Sequence, residues 1–185
     1  MPVHVDHLLP VHPLTVADVD EMVRVGILDE DDHVQLLDGV LVEMSPQGNP
    51  HAYAIRRLNA LAAAAVAASG LELSIQSPLD VGSTISLPEP DVAIIPLTGR
   101  DERPAGALLV VEMGNTSLRI DRGRKAEIYA TAGVPDYWVR DVEHRVLVVH
   151  REPVDGRYAH VQERGERDTV TAAAVDLTVA VADLL

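Results

Sequence analysis

The order of elements legible in this sequence is helix, hairpin, helix, strands, helix, strands. That order predicts an α/β (α+β) domain, a mixed β-sheet with few helices packed on it. Three observations carry the prediction. Asp38-Gly39 stands between two short apolar runs, His33 to Leu37 and Val40 to Met44. Both turn positions can take positive φ, so the pair predicts an N-terminal β-hairpin. Ile55, Leu58, Leu61, Ala62, Ala65 and Val66 then recur at helical spacing behind Asn49-Pro50, a good cap and a good first residue. Past Gly70, which is placed to end that helix, the apolar period shortens to that of strands.

The remaining elements follow in order. Thr15 caps a short helix with Asp18 at the favourable end of its dipole, and residues 27–32 (ILDEDD) form an acidic connection. Leu71 to Ile75 reads as a strand, Ser83 to Leu87 as a weaker one, and Asp91 to Ile95 and Ala107 to Met113 as strong ones. A helix runs from about Leu118 to Ala132 and stops at Gly133. Strands follow at Tyr137 to Arg140, Arg145 to His150 and Arg157 to Gln162, and the apolar tail from Val175 to Leu185 suits a strand or a short helix. Residues 1–13 read as a loosely held arm and 14–185 as one domain.

Composition excludes several classes. The chain has 185 residues with 29 acids against 15 bases, a net charge of −14, and 47% of it is apolar. That is enough apolar material for a core, so the acidity does not signal disorder. The absence of Cys removes disulfides, thiolate metal sites and a Cys nucleophile. With no Phe and 3% aromatics, the core is aliphatic. The longest run near a helix centre, Leu61 to Ala68, is far short of the roughly 20 residues a membrane span needs. The N-terminus lacks a secretory pattern, so a cytoplasmic protein is expected. Phosphate-loop, dinucleotide, zinc-peptidase and nucleophile-elbow motifs are all missing.

The chemistry concentrates in residues 88–141. Asp91 opens an apolar strand after Pro88-Glu89-Pro90, which sets an extended approach. Glu112 lies one residue before the end of the strand Ala107 to Met113 and alternates with Leu108 and Val110. A carboxylate there needs a cation or hydrogen bonds. If the two strands are neighbours, Asp91 and Glu112 converge on one hard cation such as Mg²⁺. The only lysine, Lys125, sits four residues after Asp121 on one helical face, in a chain that otherwise uses fourteen Arg. A lysine there can orient the attacking water or offset charge in a phosphoryl transition state, or it can simply pair with Asp121 at the surface. Residues 119–125 carry a net +3 and residues 18–43 a net −8, so the basic patch coincides with the candidate site. Tyr137-Trp138 reads as core in preference to a base-stacking platform.

The run EPDVAII … LLVVEMGNTSLRIDRGRKAEIYATAGVPDYWVRD resembles the Uma2 family, within the PD-(D/E)XK superfamily of restriction-endonuclease-like nucleases. The upstream LLDGVLVEMSPQGNPHAYAIRRLNAL is similar to that family's first hairpin and helix, and with Gln76 the likeness covers roughly residues 14–150. The resemblance implies a restriction-endonuclease-like mixed sheet flanked by helices and a Mg²⁺- or Mn²⁺-dependent site that hydrolyses DNA. It implies catalytic roles for Asp91, Glu112 and Lys125, with Asp91, Glu112 and the Met113 carbonyl as metal ligands. His51 and Gln76 match family positions near the site, with a core or capping role as the alternative. Two departures stand out: Gly114 occupies the slot where the superfamily places its Lys, and Val40 stands where many members have Glu. Glu43, three residues on, is a candidate substitute, and Asp121 a supporting residue beside Lys125. The alternative readings are an inactive binding or structural module of the same fold, and a metal-dependent hydrolase of a non-nucleic substrate. A homodimer is the default expectation for an oligomer.

Overall fold

A computed structural model describes residues 12–29, 32–44, 48–67, 69–114, 117–141 and 143–185. The arm expected over 1–13 falls largely on residues 1–11, outside the described part. Thr15 and Asp18 form the expected cap: Thr15 Oγ1 accepts from the Asp18 amide at 3.1 Å and the Asp18 carboxylate from the Thr15 amide at 2.8 Å. They start α1 (Val16–Arg24).

β1 (Val34–Leu37) and β2 (Val40–Glu43) pair antiparallel about Asp38 at φ 50° and Gly39 at φ 77°. Gly39 is required twice over. Its φ disfavours any side chain, and a Cβ there would lie 2.2 Å from the Pro13 Cβ. Leu14 holds Pro13 in place, its amide donating to the Gly39 carbonyl at 2.9 Å. We therefore expect Gly39→Ala to lower the unfolding free energy by about 2 kcal/mol or more. Urea unfolding checks this, and an unchanged midpoint would refute it.

α2 (Asn49–Ala67) buries Ala54, Ile55, Leu58 and Ala62, with Leu61, Ala65 and Val66 packed at the margin, which is the stripe expected. The main sheet contains β3 (Leu71–Ile75), β4 (Val92–Pro96), β5 (Leu109–Glu112), β6 (Asp136–Asp141), β7 (Val146–Val154) and β8 (Arg157–Gly165), in that spatial order. All neighbours are antiparallel except β5 and β6. A parallel pair needs a crossover, and here it is helical. Residues 118–131 supply it as α3 (Leu118–Ile120), a π-helical turn (Asp121–Lys125) and α4 (Ala126–Thr131).

Alternation along the strands divides the core. Val92, Ile94, Leu109, Val111 and Trp138 face α2, while Ala93, Ile95, Val110, Tyr137 and Val139 face α4 and Tyr129. Tyr137 and Trp138 are fully buried, which makes them core as expected. β9 (Thr169–Thr171) and β10 (Thr178–Ala180) form a small hairpin, and a 3₁₀ turn (Val181–Asp183) follows, so the tail is both strand and short helix.

Two expectations need correction. Residues 83–87 do not form a strand; only Leu87 makes an isolated bridge, to Leu36. The chain there is turned locally by Ser83, whose Oγ accepts the Ile85 amide at 3.2 Å, and Ile85 answers the hairpin turn through Gly39. The helix expected from Leu118 to Ala132 is likewise not a uniform α-helix, because its second turn is widened into the π form, a distortion often found at functional sites. Among the described residues, no helix is long and apolar enough to cross a membrane.

Candidate active site

The antiparallel register pairs Val92 with Val111, and one step further along sets Asp91 opposite Glu112. The register therefore places these two residues side by side where β4 begins and β5 ends. Each is held by its own set of partners.

Asp91 Oδ2 accepts the Met113 amide at 2.7 Å, and Oδ1 accepts from His51 Nε2 at 2.9 Å. Gln76 Nε2 reaches the same Oδ1 at 3.5 Å, and its amide donates to the Asp91 carbonyl at 3.2 Å. His51 projects from the first turn of α2, and its Nδ1 lies 3.0 Å from the Met113 carbonyl. A carbonyl only accepts and an ionised carboxylate only accepts, so both ring nitrogens donate and the ring is an imidazolium. The Asp91 hydrogen bond accordingly raises the His51 pKa. Burial works against the Asp91 carboxylate, but His51 and the Met113 amide outweigh it and hold its pKa below the usual value.

The sign of the pH dependence follows. The His51 contribution to stability is complete below its unfolded pKa and is lost as pH rises through the raised folded value. The Asp91 contribution is complete above its unfolded pKa and is lost as pH falls through the lowered folded value. We expect His51→Gln to cost most stability between those limits. Unfolding curves of parent and variant across the range test this, together with an NMR titration of His51; a His51 titrating below an ordinary histidine would contradict it.

Glu112 alternates with Val110, which faces α4. Its Oε1 accepts from Lys125 Nζ at 2.8 Å and from the Tyr129 hydroxyl at 3.1 Å. Lys125 Nζ also approaches the Glu89 carbonyl at 3.4 Å and Asp121 Oδ1 at 3.9 Å. The Lys125 and Glu112 side chains are 4% and 5% exposed. Burial pushes Glu112 up to about 8, against the attraction of Lys125. Burial also disfavours the Lys125 charge, but Glu112, Asp121 and Asp91 together raise its pKa and keep the ammonium. Two buried carboxyls thus share one ammonium. Asp121 is raised for the same reason, desolvation, while the Ser117 hydroxyl donates to it.

Asp91, Glu112, Lys125, Asp121, His51 and Gln76 therefore share one neighbourhood. Glu43 does not join them: it is exposed at the end of β2, opposite Val34 of β1, and its side chain has no hydrogen bond or ion pair with these residues. The expected basic patch is also corrected. Arg122 is paired with Asp141 and Glu163, and Arg124 with Asp38 and Glu127, so their charges are neutralised locally. Three neighbours were not anticipated as site residues. Tyr129 sits on the anticipated Lys125 face; Glu89, two residues before Asp91 in an extended run, was recoverable from alternation. Glu89 is half-buried, and desolvation raises its pKa. Arg140 was visible as a charge inside an apolar strand.

The donor set suits a hard divalent ion: two carboxylates and the Met113 carbonyl, all oxygens. Among the described residues no three His, Asp or Glu side chains form a group that could hold a metal ion, so an ion here would need further oxygens from water or substrate. A cavity of about 530 Å³ opens elsewhere, between Leu79, Gly82, Gly106 and Gly133 before β5 and β6, and none of these site side chains lines it.

Comparison with known proteins bears on fold and family. A solved structure described as a putative nuclease belonging to DUF820 from Anabaena variabilis ATCC 29413 superimposes with a TM-score of 0.73 at 11% identity, over 93% of this chain and 97% of that one. At that identity the likeness is one of fold. No curated protein matches the chain. The Uma2 family model, described as putative restriction endonuclease, matches residues 19–182. With nearly the whole described sheet and every residue of the candidate site inside that span, this chain belongs to the Uma2 family, and so stands among the nucleases.

Proposed function

We propose that this protein is a metal-dependent endonuclease that hydrolyses DNA phosphodiester bonds. The observation that carries the reading is the buried Lys125–Glu112 contact at 2.8 Å, set opposite a solvent-reaching Asp91 at the ends of two adjacent strands. Asp91, Glu112 and the Met113 carbonyl would hold Mg²⁺ or Mn²⁺. Such an ion, when bound, polarises a phosphoryl oxygen and makes water a stronger nucleophile.

The chain's own groups do the rest. His51 and the Met113 amide fix the orientation of Asp91. Lys125 keeps its ammonium in a water-poor site, where it offsets charge growing on the phosphoryl oxygens. Hydrolysis joins a water oxygen to phosphorus, breaks one ester P–O bond and leaves a proton for the departing oxygen. Burial raises the Glu112 pKa, so taking up the ion would release any proton it holds. The test is cleavage of supercoiled plasmid and of single-stranded DNA with Mg²⁺, with Mn²⁺ and with chelator. Cleavage that persists in chelator, or none under any condition, would defeat the reading.

One observation favours a second reading, a non-catalytic module of the same fold. Both Asp91 oxygens and Glu112 Oε1 already have protein partners. That reading predicts no heat of Mg²⁺ binding at millimolar concentration; a signal lost in Glu112→Gln would count against it.

A further inference from the structure

Arg140 lies in β6, on the face that turns Trp138 towards α2, and only 3% of it is exposed. Its Nε is completely buried and has no acceptor, the one such side-chain atom among the described residues. Among the described residues no carboxylate answers its guanidinium, on which burial alone acts. The other buried charges are answered. Asp136 accepts from Arg151, Trp138 and the Ala173 amide, Asp141 from Arg122 and His144, and Glu112 from Lys125. A buried guanidinium without a counter-anion destabilises a fold, and nothing local offsets it here.

Arg140 also lies next to the strand ends of the candidate site. Glu112 pairs with Val139 in the parallel register, so Arg140 lies one step further, beside Met113. The Met113 carbonyl accepts from His51, and the Arg140 charge is close enough to act against the His51 cation. Two positive groups, one without any anion, thus stand on the α2 side of the strand ends that carry Asp91. Arginine keeps its charge when buried and presents a planar fork that matches a phosphate.

We infer that Arg140 receives a phosphate oxyanion of the DNA backbone beside the bond that is cut, an inference that rests on the nuclease reading. It is a binding and positioning residue. It holds the strand while Asp91, Glu112 and Lys125 face the reacting phosphorus, and it explains why a costly charge occupies a strand interior.

The test compares the parent with Arg140→Met and Arg140→Lys. Without ligand, Arg140→Met raises the melting temperature by a few degrees, because a thioether fills the space with no charge to desolvate; a merely structural arginine would give the opposite shift. Inorganic phosphate raises the melting temperature of the parent, moves Arg140→Lys less and leaves Arg140→Met unchanged. Against a short fluorescein-labelled DNA duplex in EDTA, Arg140→Met weakens binding roughly ten- to hundredfold, the range of one charged hydrogen bond. It also reduces the slope of log K against log salt by about 0.9. A lower melting temperature for Arg140→Met, or duplex affinity and salt slope equal to the parent's, overturns the assignment and leaves the nuclease reading standing. Phosphate protection lost in Arg140→Met, with no duplex binding or cleavage by the parent, keeps the oxyanion site and overturns DNA as its source. A parent that responds to neither phosphate nor duplex overturns both.

Discussion

Lys125→Met lowers the unfolding free energy by about 3–5 kcal/mol at pH 8, and by clearly less at pH 5. Among the described residues the ammonium is the one cation in contact with Glu112, 2.8 Å away, and it lies 3.9 Å from Asp121. Methionine fills similar space but leaves both carboxyls buried without counter-charge. Burial already lifts Glu112 to about 8 and raises Asp121, and both rise further when the ammonium goes. A carboxyl whose folded pKa exceeds its unfolded pKa holds a proton in the native state that the unfolded chain releases. Stability therefore falls as pH rises from the ordinary carboxylate range through the folded value. Urea unfolding followed by the single, fully buried Trp138 gives the measurement. The double variant Lys125→Met/Glu112→Gln recovers much of the loss, because it removes one stranded charge. Equal losses at pH 5 and pH 8 would show that Lys125 contributes by packing alone.

Asp91→Ala removes metal-dependent DNA cleavage, with a fall larger than the roughly 10–100-fold that loss of an outer metal partner brings. The carboxylate is 15% exposed and is the most accessible of the proposed ligands. Its loss also leaves the Met113 amide and the His51 ring without their acceptor, so the strand ends loosen as well. Asp91→Asn separates the two effects. The amide can still accept the Met113 hydrogen bond but lacks the charge that a divalent ion requires. Cleavage by Asp91→Asn at the parental rate in a folded protein would remove Asp91 from the site. Cleavage lost in Asp91→Ala alone would make its role structural.

Much of the architecture was readable because local chemistry and the final fold agree. The Thr15–Asp18 cap, the Asp38-Gly39 turn, the α2 stripe and β3 each obey a short-range rule whose partner lies within a few residues. Residues 83–87 failed for a complementary reason. Their apolar alternation resembles a strand, but their backbone groups are answered irregularly by Gly39, Val16 and Leu36. The π turn at Asp121–Lys125 is similarly invisible, since α- and π-helical spacing bring the same residues to one side.

The sequence by itself determined the parts: two carboxylates at strand ends, a solitary lysine, a histidine at a helix start, and an aliphatic chain able to bury them. Residue type and short-range spacing suffice for that, because they express steric and hydrophobic preferences that act within a few residues. Only the tertiary structure decided the partners. It gave Lys125 to Glu112 ahead of Asp121, neutralised the Arg122 and Arg124 charges, left Glu43 outside, and left Arg140 buried with no anion. Which charges meet depends on strand register and on burial, and both are set by contacts tens of residues apart along the chain.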